Sequence, residues 1–280
     1  ITWIGDDAQP AIPDAAPDFI KQSFEWHQGT LTEAQWETRV AQAIAKIDKS
    51  EIDKVVLARD LIATTDKAID VRPILNSLAT NYPATWVFAV DGLIGATPEL
   101  LLRLSRGMVT SRVLAGTIPK TGDDARDLAL AGSLARSSKD LEEHEYAVRS
   151  VADALEPFCS STNVPDAPFV LHLANVMHLA TDVTGALLES KHHVDAFALL
   201  KSLHPSAAVY GTPTSAAKKF ILDFEKMNRD RYAGPVGWID ANGDGEIAIA
   251  LRCGQLSNDN KSIRIFAGCE LLPDQTQQMN

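Results

Sequence analysis

Several features that mark common classes of protein are scarce or missing in this sequence of 280 residues. No apolar run approaches the roughly 18 residues of a membrane-spanning helix, so no membrane partner is expected. The first residues lack the basic and apolar regions of a signal peptide. Only three cysteines occur, widely spaced and without a zinc-binding pattern, which indicates a reducing compartment and predicts a cytoplasmic protein.

Positive charge is also scarce. Lysine and arginine number 26 against 37 acidic residues, which gives a net charge of −11 and argues against a nucleic-acid partner. An acidic protein that binds an anionic substrate needs local positive charge or a metal to offset its own field. Neither a GxGxxG fingerprint nor a P-loop occurs.

Hydrophobic residues make up 45% of the chain, enough for a sizeable core. Helical and strand patterns mix without a strict βαβ period, which predicts an α+β fold of large antiparallel sheets with helices packed outside. Residues 1–30, with several prolines, are expected to form an irregular arm, and residues 31–280 a single domain.

The pattern of apolar residues predicts the main elements. Helices are expected at 31–48, capped by Thr32, near 71–80, and over 123–158 with a break near Ser137-Ser138. Asp91-Gly92 predicts a hairpin turn before a single strand at 93–107. The segments GPVGWID, EIAIALRCGQL and SIRIFAGC predict one closing antiparallel meander.

Two charged residues stand beside apolar runs. Lys54 precedes VVLA on a predicted strand; it either lays its stem on apolar neighbours with its head in water, or serves as a base. Glu99 lies between Pro98 and three leucines. It is either a strand-end glutamate facing water or a buried carboxyl whose pKa rises toward a value useful for a general acid.

Two acids, Asp140 and Glu143, lie three residues apart on the predicted helix of SSKDLEEHEYAVRSV. They either suit the positive end of the helix or supply oxygen ligands for Mg²⁺.

Arg252 is predicted to end the strand GEIAIALR, and the small residues Ala248 and Ala250 lie on the same face of that strand. Its guanidinium group either forms a structural ion pair or binds a carboxylate. His178, in NVMHLATDV, is interpreted as a core histidine, and AGT and RYAGPVGW as turns that a ligand can approach.

The motifs KVVLAR, GATPELLL, AGTIPK, SSKDLEEH, NVMHLAT, LHPSAAVYGTP, RYAGPVGW, GDGEIAIALR and AGC, in this order, resemble the chorismate-utilising enzymes. These include isochorismate synthases, salicylate synthases and anthranilate synthase large subunits. The resemblance runs from about Trp36 to Cys269. It implies a fold like that of anthranilate synthase component I, a chorismate-binding catalytic domain and a Mg²⁺-dependent site.

The resemblance also implies roles for single residues. Lys54 matches a general base that activates water, and Glu99 the general acid that protonates the departing C4 hydroxyl of chorismate. Metal and substrate contacts are implied at further positions: Glu143 and Asp140 at Mg²⁺, and Gly116, Thr117, Arg252, Gly268, Tyr232 and His178 around the substrate.

The lysine at position 54 narrows the range of reactions that the resemblance implies. Relatives that use ammonia usually carry glutamine at this position, so a lysine implies attack by water and no glutaminase subunit is expected. Ala115 replaces the nucleophilic lysine of aminodeoxychorismate synthases. The expected activity is isochorismate synthase, with chorismate and isochorismate as ligands; salicylate synthase and a non-catalytic chorismate-binding or partner protein are the alternatives. The downstream pathway stays open between menaquinone and a siderophore.

The sequence departs from the resembled family after Cys269. The family continues with a glutamate-containing segment that completes the metal site, whereas this sequence reads ELLPDQTQQMN. Glu270 and Asp274 are the only acids in that stretch.

Overall fold

The computed structural model describes residues 23–47, 52–188 and 196–271. Within these ranges the helices are α1 (Glu33–Ile47), α2 (Val71–Asn81), α3 (Asp124–Leu134), α4 (Ser138–Leu155), α5 (Ala196–Leu203) and α6 (Thr214–Phe224). The first strands are β1 (Glu25–Gln28), β2 (Lys54–Thr64), β3 (Trp86–Val90), β4 (Leu93–Thr97), β5 (Leu100–Ser105), β6 (Met108–Pro119) and β7 (Cys159–Asn163). The remaining strands are β8 (Phe169–His172), β9 (Val176–Leu187), β10 (Gly211–Thr212), β11 (Pro235–Ile239), β12 (Gly245–Ile249), β13 (Cys253–Leu256) and β14 (Ser262–Leu271).

The strands form two sheets. Sheet A has the order β1-β2-β14-β13-β4-β3, with β10 also paired to β2, and sheet B has the order β11-β12-β5-β6-β9-β7, with β8 also paired to β9. Neighbouring strands in both sheets are antiparallel. Helices α1 and α6 pack against β2, and α4 packs against β6 and β9. The predicted α+β fold with large antiparallel sheets is confirmed.

The structure also confirms the predicted helix cap, hairpin turn and helix break. Thr32 Oγ1 accepts a hydrogen bond from Gln35 N while Gln35 Oε1 accepts one from Thr32 N, a capping box at the start of α1. The Asp91-Gly92 turn joins β3 to β4, with φ of 49° and 77°. The helical stretch breaks between α3 and α4, where Ser137 caps α4.

Two segments predicted as single strands each divide between the sheets. Residues 93–107 form β4 in sheet A and β5 in sheet B, and residues 246–256 form β12 in sheet B and β13 in sheet A. The predicted closing meander is therefore wrong, because β11 and β12 lie in one sheet and β13 and β14 in the other. Pro98 lacks the N–H that a ladder needs, and Arg252 has a φ of 50°, which an extended strand does not adopt.

The expected irregular arm also needs correction. Residues 1–22 lie outside the described residues, but Glu25–Gln28 form a strand paired with residues 61–64 of β2. Behind this strand, the buried carboxylate of Asp60 accepts hydrogen bonds from Thr30 N at 2.8 Å and Arg264 Nε at 2.6 Å. These bonds hold the first described residues on sheet A.

The two crossings between the sheets lie side by side. Ile249 N donates to Glu99 O at 3.1 Å, and Ala96 N donates to Arg252 O at 3.3 Å. Each crossing therefore satisfies backbone groups of the other where no regular ladder is present. The segments that carry Glu99 and Arg252 meet at the junction of the sheets.

A buried ion pair fixes the middle of β2. Glu225, whose side chain is 1% exposed, accepts hydrogen bonds from Arg229 and, at 2.9 Å, from Ala58 N. Arg229 also donates to Val56 O at 2.7 Å and to Val209 O at 2.8 Å. The pair ties the segment after α6 to the strand that begins at Lys54.

We expect Glu225→Ala to lower the free energy of unfolding by about 3–5 kcal/mol, because it leaves the Arg229 charge buried without its partner. Urea denaturation measures the change. The matched control is Glu145→Ala, which removes a glutamate from another i,i+4 pair with arginine, exposed on α4. This control should change stability by less than about 0.5 kcal/mol. Equal losses in the two variants would contradict the bracing role of Glu225.

Candidate active site

Lys54 begins β2 and points toward two carboxylates. Its Nζ lies 2.8 Å from Glu270 Oε2 and 3.7 Å from Glu143 Oε1, and its side chain is only 15% exposed. The ammonium group is thus paired with carboxylates, which argues against the alternative in which it points to water alone. The lysine head group lies in an ionic cluster with Glu143 and Glu270, whose side chains are 28% and 38% exposed.

Glu270 reaches this cluster through the register of sheet A. In the pairing of β14 with β2, Glu270 is opposite Val56 and Gly268 is opposite Ala58. Side chains alternate along a strand, so Glu270 and Gly268 share the face of Lys54. Sequence reasoning left the second metal ligand open, with Glu270 and Asp274 as the only acids after Cys269. Strand alternation favours Glu270 once β14 is known to pair with β2.

The first turns of α4 bring the other carboxylates. His144, 2% exposed, contacts Ala115 O at 3.2 Å and Thr181 Oγ1 at 2.8 Å, which holds α4 on β6 and β9. Burial raises the pKa of the neighbouring Glu143, and a hydrogen bond and repulsion from Glu270 raise it further. Asp140 adds to this repulsion. His144 thus positions Glu143, a role that sequence reasoning missed.

Gly116 allows the close approach of α4 to β6. Its φ is +79°, and a Cβ at this position would lie 3.3 Å from Asp140 Cβ. A side chain would therefore strain the backbone and crowd the helix. The glycine in AGT brings the backbone of β6 next to the predicted metal ligands.

The donor set was tested for its fit to Mg²⁺. Within the described residues, no group of three or more His, Cys, Asp and Glu side chains has an arrangement that could hold a metal. Mg²⁺, however, is usually bound by one or two carboxylates together with waters. Glu143 Oε1 and Glu270 Oε2 both approach Lys54 Nζ, at 3.7 Å and 2.8 Å, and a divalent cation would remove the repulsion between the two carboxylates. These two carboxylates fit the ion, with Asp140 beside them.

Glu99 lies where the chain passes from β4 to β5. Burial raises its pKa to about 7, although the positive charges of Lys54 and Arg252 oppose the shift. Glu99 is only partly exposed, which argues against the alternative of a glutamate facing water. A carboxyl group with this pKa can hold a proton near neutral pH and release it.

Arg252 lies in the other crossing, not at the end of a strand as predicted. Its Nη2 is 3.3 Å from His178 Nε2, and His178 Nδ1 is 2.9 Å from Thr117 Oγ1. Burial, and then the charge of Arg252, lower the pKa of His178 to about 4, so the ring is neutral at pH 7. We assign Nε2 as the acceptor from Arg252 and Nδ1–H as the donor to Thr117. His178 is a satisfied histidine that orients two predicted substrate contacts.

Arg252 makes no ion pair with a carboxylate in the described part of the chain. Its left-handed backbone is uncommon for a residue with a side chain and is found more often at functional sites. A guanidinium group that no carboxylate of the described residues occupies can bind the carboxylate of a ligand through two parallel hydrogen bonds.

Tyr232 and Gly268 meet on the side of sheet A. A Cβ at Gly268 would lie 2.9 Å from the Tyr232 hydroxyl, so glycine leaves that hydroxyl its space. Tyr232 stacks on Phe266 with ring centroids 4.8 Å apart, and burial raises its pKa to about 12. The neutral hydroxyl can therefore donate a hydrogen bond at any physiological pH.

The structure thus brings the predicted site residues to one place between the sheets. Sheet A contributes Lys54 and Gly268, sheet B contributes Gly116, Thr117 and His178, and α4 contributes Asp140 and Glu143. Glu99 and Arg252 come from the two crossings, and Tyr232 lies just before β11. The cluster combines a lysine, an acid with a raised pKa, a carboxylate pair, and an arginine that no carboxylate of the described residues pairs with.

Comparison with known proteins agrees with this geometry. Residues 9–278 match the family model described as chorismate binding enzyme. The isochorismate synthase MenF of Bacillus subtilis is 33% identical over 288 residues, which cover 97% of this chain and 60% of that protein. The crystal structure of a putative 2,3-dihydroxybenzoate-specific isochorismate synthase, DhbC from Bacillus anthracis, matches with a TM-score of 0.81 and 32% identity, over 94% of this chain and 71% of that one.

The fold is also shared with anthranilate synthase component I from Streptococcus pneumoniae, at a TM-score of 0.80 and 25% identity, over 93% of this chain and 58% of that one. The chain spans between 50% and 60% of the length of three curated relatives that it matches. The family match covers nearly all of the sequence, so the chain belongs to the family of chorismate-binding enzymes.

Proposed function

We propose that this protein is an isochorismate synthase, which converts chorismate reversibly to isochorismate with Mg²⁺ as cofactor. The observation that carries the proposal is the placement of Lys54 and Glu99 on the wall of one cavity, where the pKa of Glu99, about 7, suits proton donation. An amine and a protonated carboxyl are the pair that water addition and hydroxyl loss require. The similarity to curated isochorismate synthases supports the same reaction.

The substrate carboxylates would be held by the cationic side of the site. Arg252 offers a forked donor, and neutral His178 fixes its direction by accepting one N–H. Tyr232 and Thr117 present hydroxyl groups, while Gly116 and Gly268 let the substrate approach the backbone. Arg252 thus supplies the local positive charge that an anionic substrate needs in a protein whose net charge is −11.

Glu143 and Glu270 would hold the Mg²⁺ ion, with Asp140 next to them. A bound Mg²⁺ would supply positive charge that binds a substrate carboxylate and stabilises charge that develops in the ring. The ion would also replace Lys54 as the cationic partner of both carboxylates. Lys54 would then be available to the substrate.

In the proposed reaction, Lys54 gains one proton and Glu99 loses one. The amino group of Lys54 takes a proton from a water molecule while the water oxygen forms a bond to C2 of chorismate. The ring double bonds shift, the bond between C4 and its oxygen breaks, and Glu99 gives its proton to the departing hydroxyl, which leaves as water. One water enters and one leaves, so the reaction can run in both directions.

One assay separates the possible activities. The protein is mixed with chorismate and Mg²⁺, and the products are resolved by chromatography. Isochorismate as the product supports the proposal, salicylate with pyruvate indicates a salicylate synthase, and no turnover indicates a non-catalytic chorismate-binding protein.

We expect Lys54→Gln to lower the rate of isochorismate formation by at least about 10²-fold, because an amide cannot accept the proton of water. Chorismate affinity, measured by calorimetry with Mg²⁺ present, should change by no more than a few-fold. Lys67→Gln, at an exposed position, is the matched control and should keep the parent rate. A Lys54→Gln rate within a few-fold of the parent would exclude Lys54 as the base.

We expect kcat/KM to fall as the pH rises through about 7, because Glu99 must be protonated to act as the acid. Below that pH, ionisation of Glu99 should not limit the rate. The pH profile of kcat/KM with saturating Mg²⁺ measures the effect. Glu99→Gln should abolish most of the activity, and the fall of kcat/KM near pH 7 should be absent from what remains.

Stability gives an independent measure of the same group. The folded-state pKa of Glu99 is raised from 4.5 to about 7, so the folded state binds more protons than the unfolded state between these values. The contribution of Glu99 to stability is therefore present at low pH and is lost as the pH rises through this window. Glu99→Gln should flatten this part of the stability profile, and an unchanged slope would contradict the burial of the carboxyl.

We expect Mg²⁺ to raise the melting temperature and a chelator to lower it, because the ion binds the folded site and relieves the repulsion between Glu143 and Glu270. Glu143→Gln should remove most of this sensitivity in thermal-shift experiments. Glu142→Gln, at the exposed neighbouring position on α4, should keep the parent response. Equal Mg²⁺ responses in the two variants would place the metal elsewhere.

A further inference from the structure

A small cavity lies directly behind Lys54 and Glu99. Its volume is about 60 Å³, and its walls come from β5, β6, α4, β12 and the segment that follows α5. Lys54 and Glu99 line it, whereas the other residues of the candidate site do not. The cavity thus contacts the two groups that act on water in the proposed reaction, and none of those that would bind substrate carboxylates or Mg²⁺.

The size of the cavity decides between possible occupants. Pockets for drug-sized ligands measure roughly 300–1,000 Å³, so a space of this size does not admit chorismate. One water molecule needs about 10–15 Å³ of such volume, so the cavity has room for a few waters. The walls also include exposed Ser150 on α4, so the cavity extends from solvent to the acid and the base.

One polar group in the wall points to water as the occupant. Ser206 Oγ is fully buried and has no hydrogen-bond partner in the described ranges of the chain. A buried hydroxyl without a partner costs roughly 1–3 kcal/mol, and a water in the adjoining cavity would remove that cost. Ser111, 2% exposed, adds a second hydroxyl to the same wall.

The backbone holds Ser206 in a fixed place relative to Lys54. Ser206 O accepts hydrogen bonds from Val209 N at 3.2 Å and Tyr210 N at 3.1 Å, which close a turn. Tyr210 O in turn accepts from Val56 N at 3.0 Å, on the strand that begins at Lys54. A water bound to Ser206 would therefore keep a defined position near the base.

We propose that this cavity is the water path of the enzyme and that Ser206 is a positioning residue that orders water within it. The inference rests on the proposed function. Water enters past Ser150, its oxygen forms the bond to C2, and the C4 oxygen, protonated by Glu99, returns to the cavity as water. Water and chorismate thus reach the reacting atoms from different sides.

The test separates water supply from substrate binding. Ser206→Ala should lower kcat roughly 3–10-fold in both directions of the reaction, the worth of one hydrogen bond to an uncharged group, with unchanged chorismate affinity by calorimetry. Ala147→Leu, which fills the cavity from α4, should lower kcat by at least about tenfold, because it misplaces or expels the water. Ser202→Ala is the matched control, since Ser202 Oγ only donates to Ala154 O outside the cavity. It should keep the parent kcat.

The possible results distinguish failure of the water path from failure of the isochorismate synthase proposal. Parent kcat in both Ser206→Ala and Ala147→Leu overturns the water path and leaves the isochorismate synthase proposal standing. Reduced kcat with equally weakened chorismate binding shows a general structural effect and also overturns the water path. A parent protein that forms no isochorismate overturns both proposals. A high-resolution crystal structure should show ordered water at Ser206 Oγ, and a dry cavity would contradict the inference.

Discussion

The fold and the site both depend on the place where the chain twice passes between the two sheets. The crossing at Pro98-Glu99 and the crossing at 250–252 bond to each other through Glu99 O and Arg252 O. If either crossing shifted, the other would lose a backbone hydrogen-bond partner at the junction of the two sheets. The same bonds fix Glu99 and Arg252 between the inner faces, with Lys54 on one side and His178 on the other. A single structural joint therefore sets the distances among groups that come from remote parts of the sequence.

Burial gives the ionisable groups of the site different protonation states at one pH. The Glu99 carboxyl keeps its proton up to about pH 7, and His178 stays neutral because its pKa is lowered to about 4. Arg252 remains charged and lacks a carboxylate partner in the part of the chain that the structure describes. One acid that can give a proton, one histidine that accepts a hydrogen bond, and one free cation thus coexist within a small volume. Such separated states allow acid and base chemistry at neutral pH.

The sequence predicted those parts of the structure that local physics determines. Helix starts and the Asp91-Gly92 turn follow from caps and turn chemistry, and both are present. Membership of the family was also readable, because it rests on motifs that are contiguous in the chain. The roles of the site residues in catalysis stay predictions.

Sheet membership was not predictable from the same patterns. Alternation along 93–107 and 246–256 looks alike whether the chain stays in one sheet or changes sheets, because both inner faces are apolar. The choice of Glu270 over Asp274 as the second carboxylate of the site was not predictable for a related reason. The place of Glu270 beside Lys54 depends on the pairing of β14 with β2, which joins residues that are remote in sequence. Such pairing is decided by tertiary packing and leaves no local signal.

That pairing has a consequence for how the protein is made. Leu271 pairs with Val55 and Ser262 with Thr64, so β2 must wait for residues that emerge from the ribosome long after it. At synthesis rates of about 5–20 residues per second, the wait is on the order of ten seconds or more. During that time β1 can cover one edge of β2, while the edge that later receives β14 has open backbone groups able to pair with another chain. Nascent chains are therefore more prone to aggregate than the finished fold, and chaperones that shield strand edges should affect its yield during translation more than its stability afterwards.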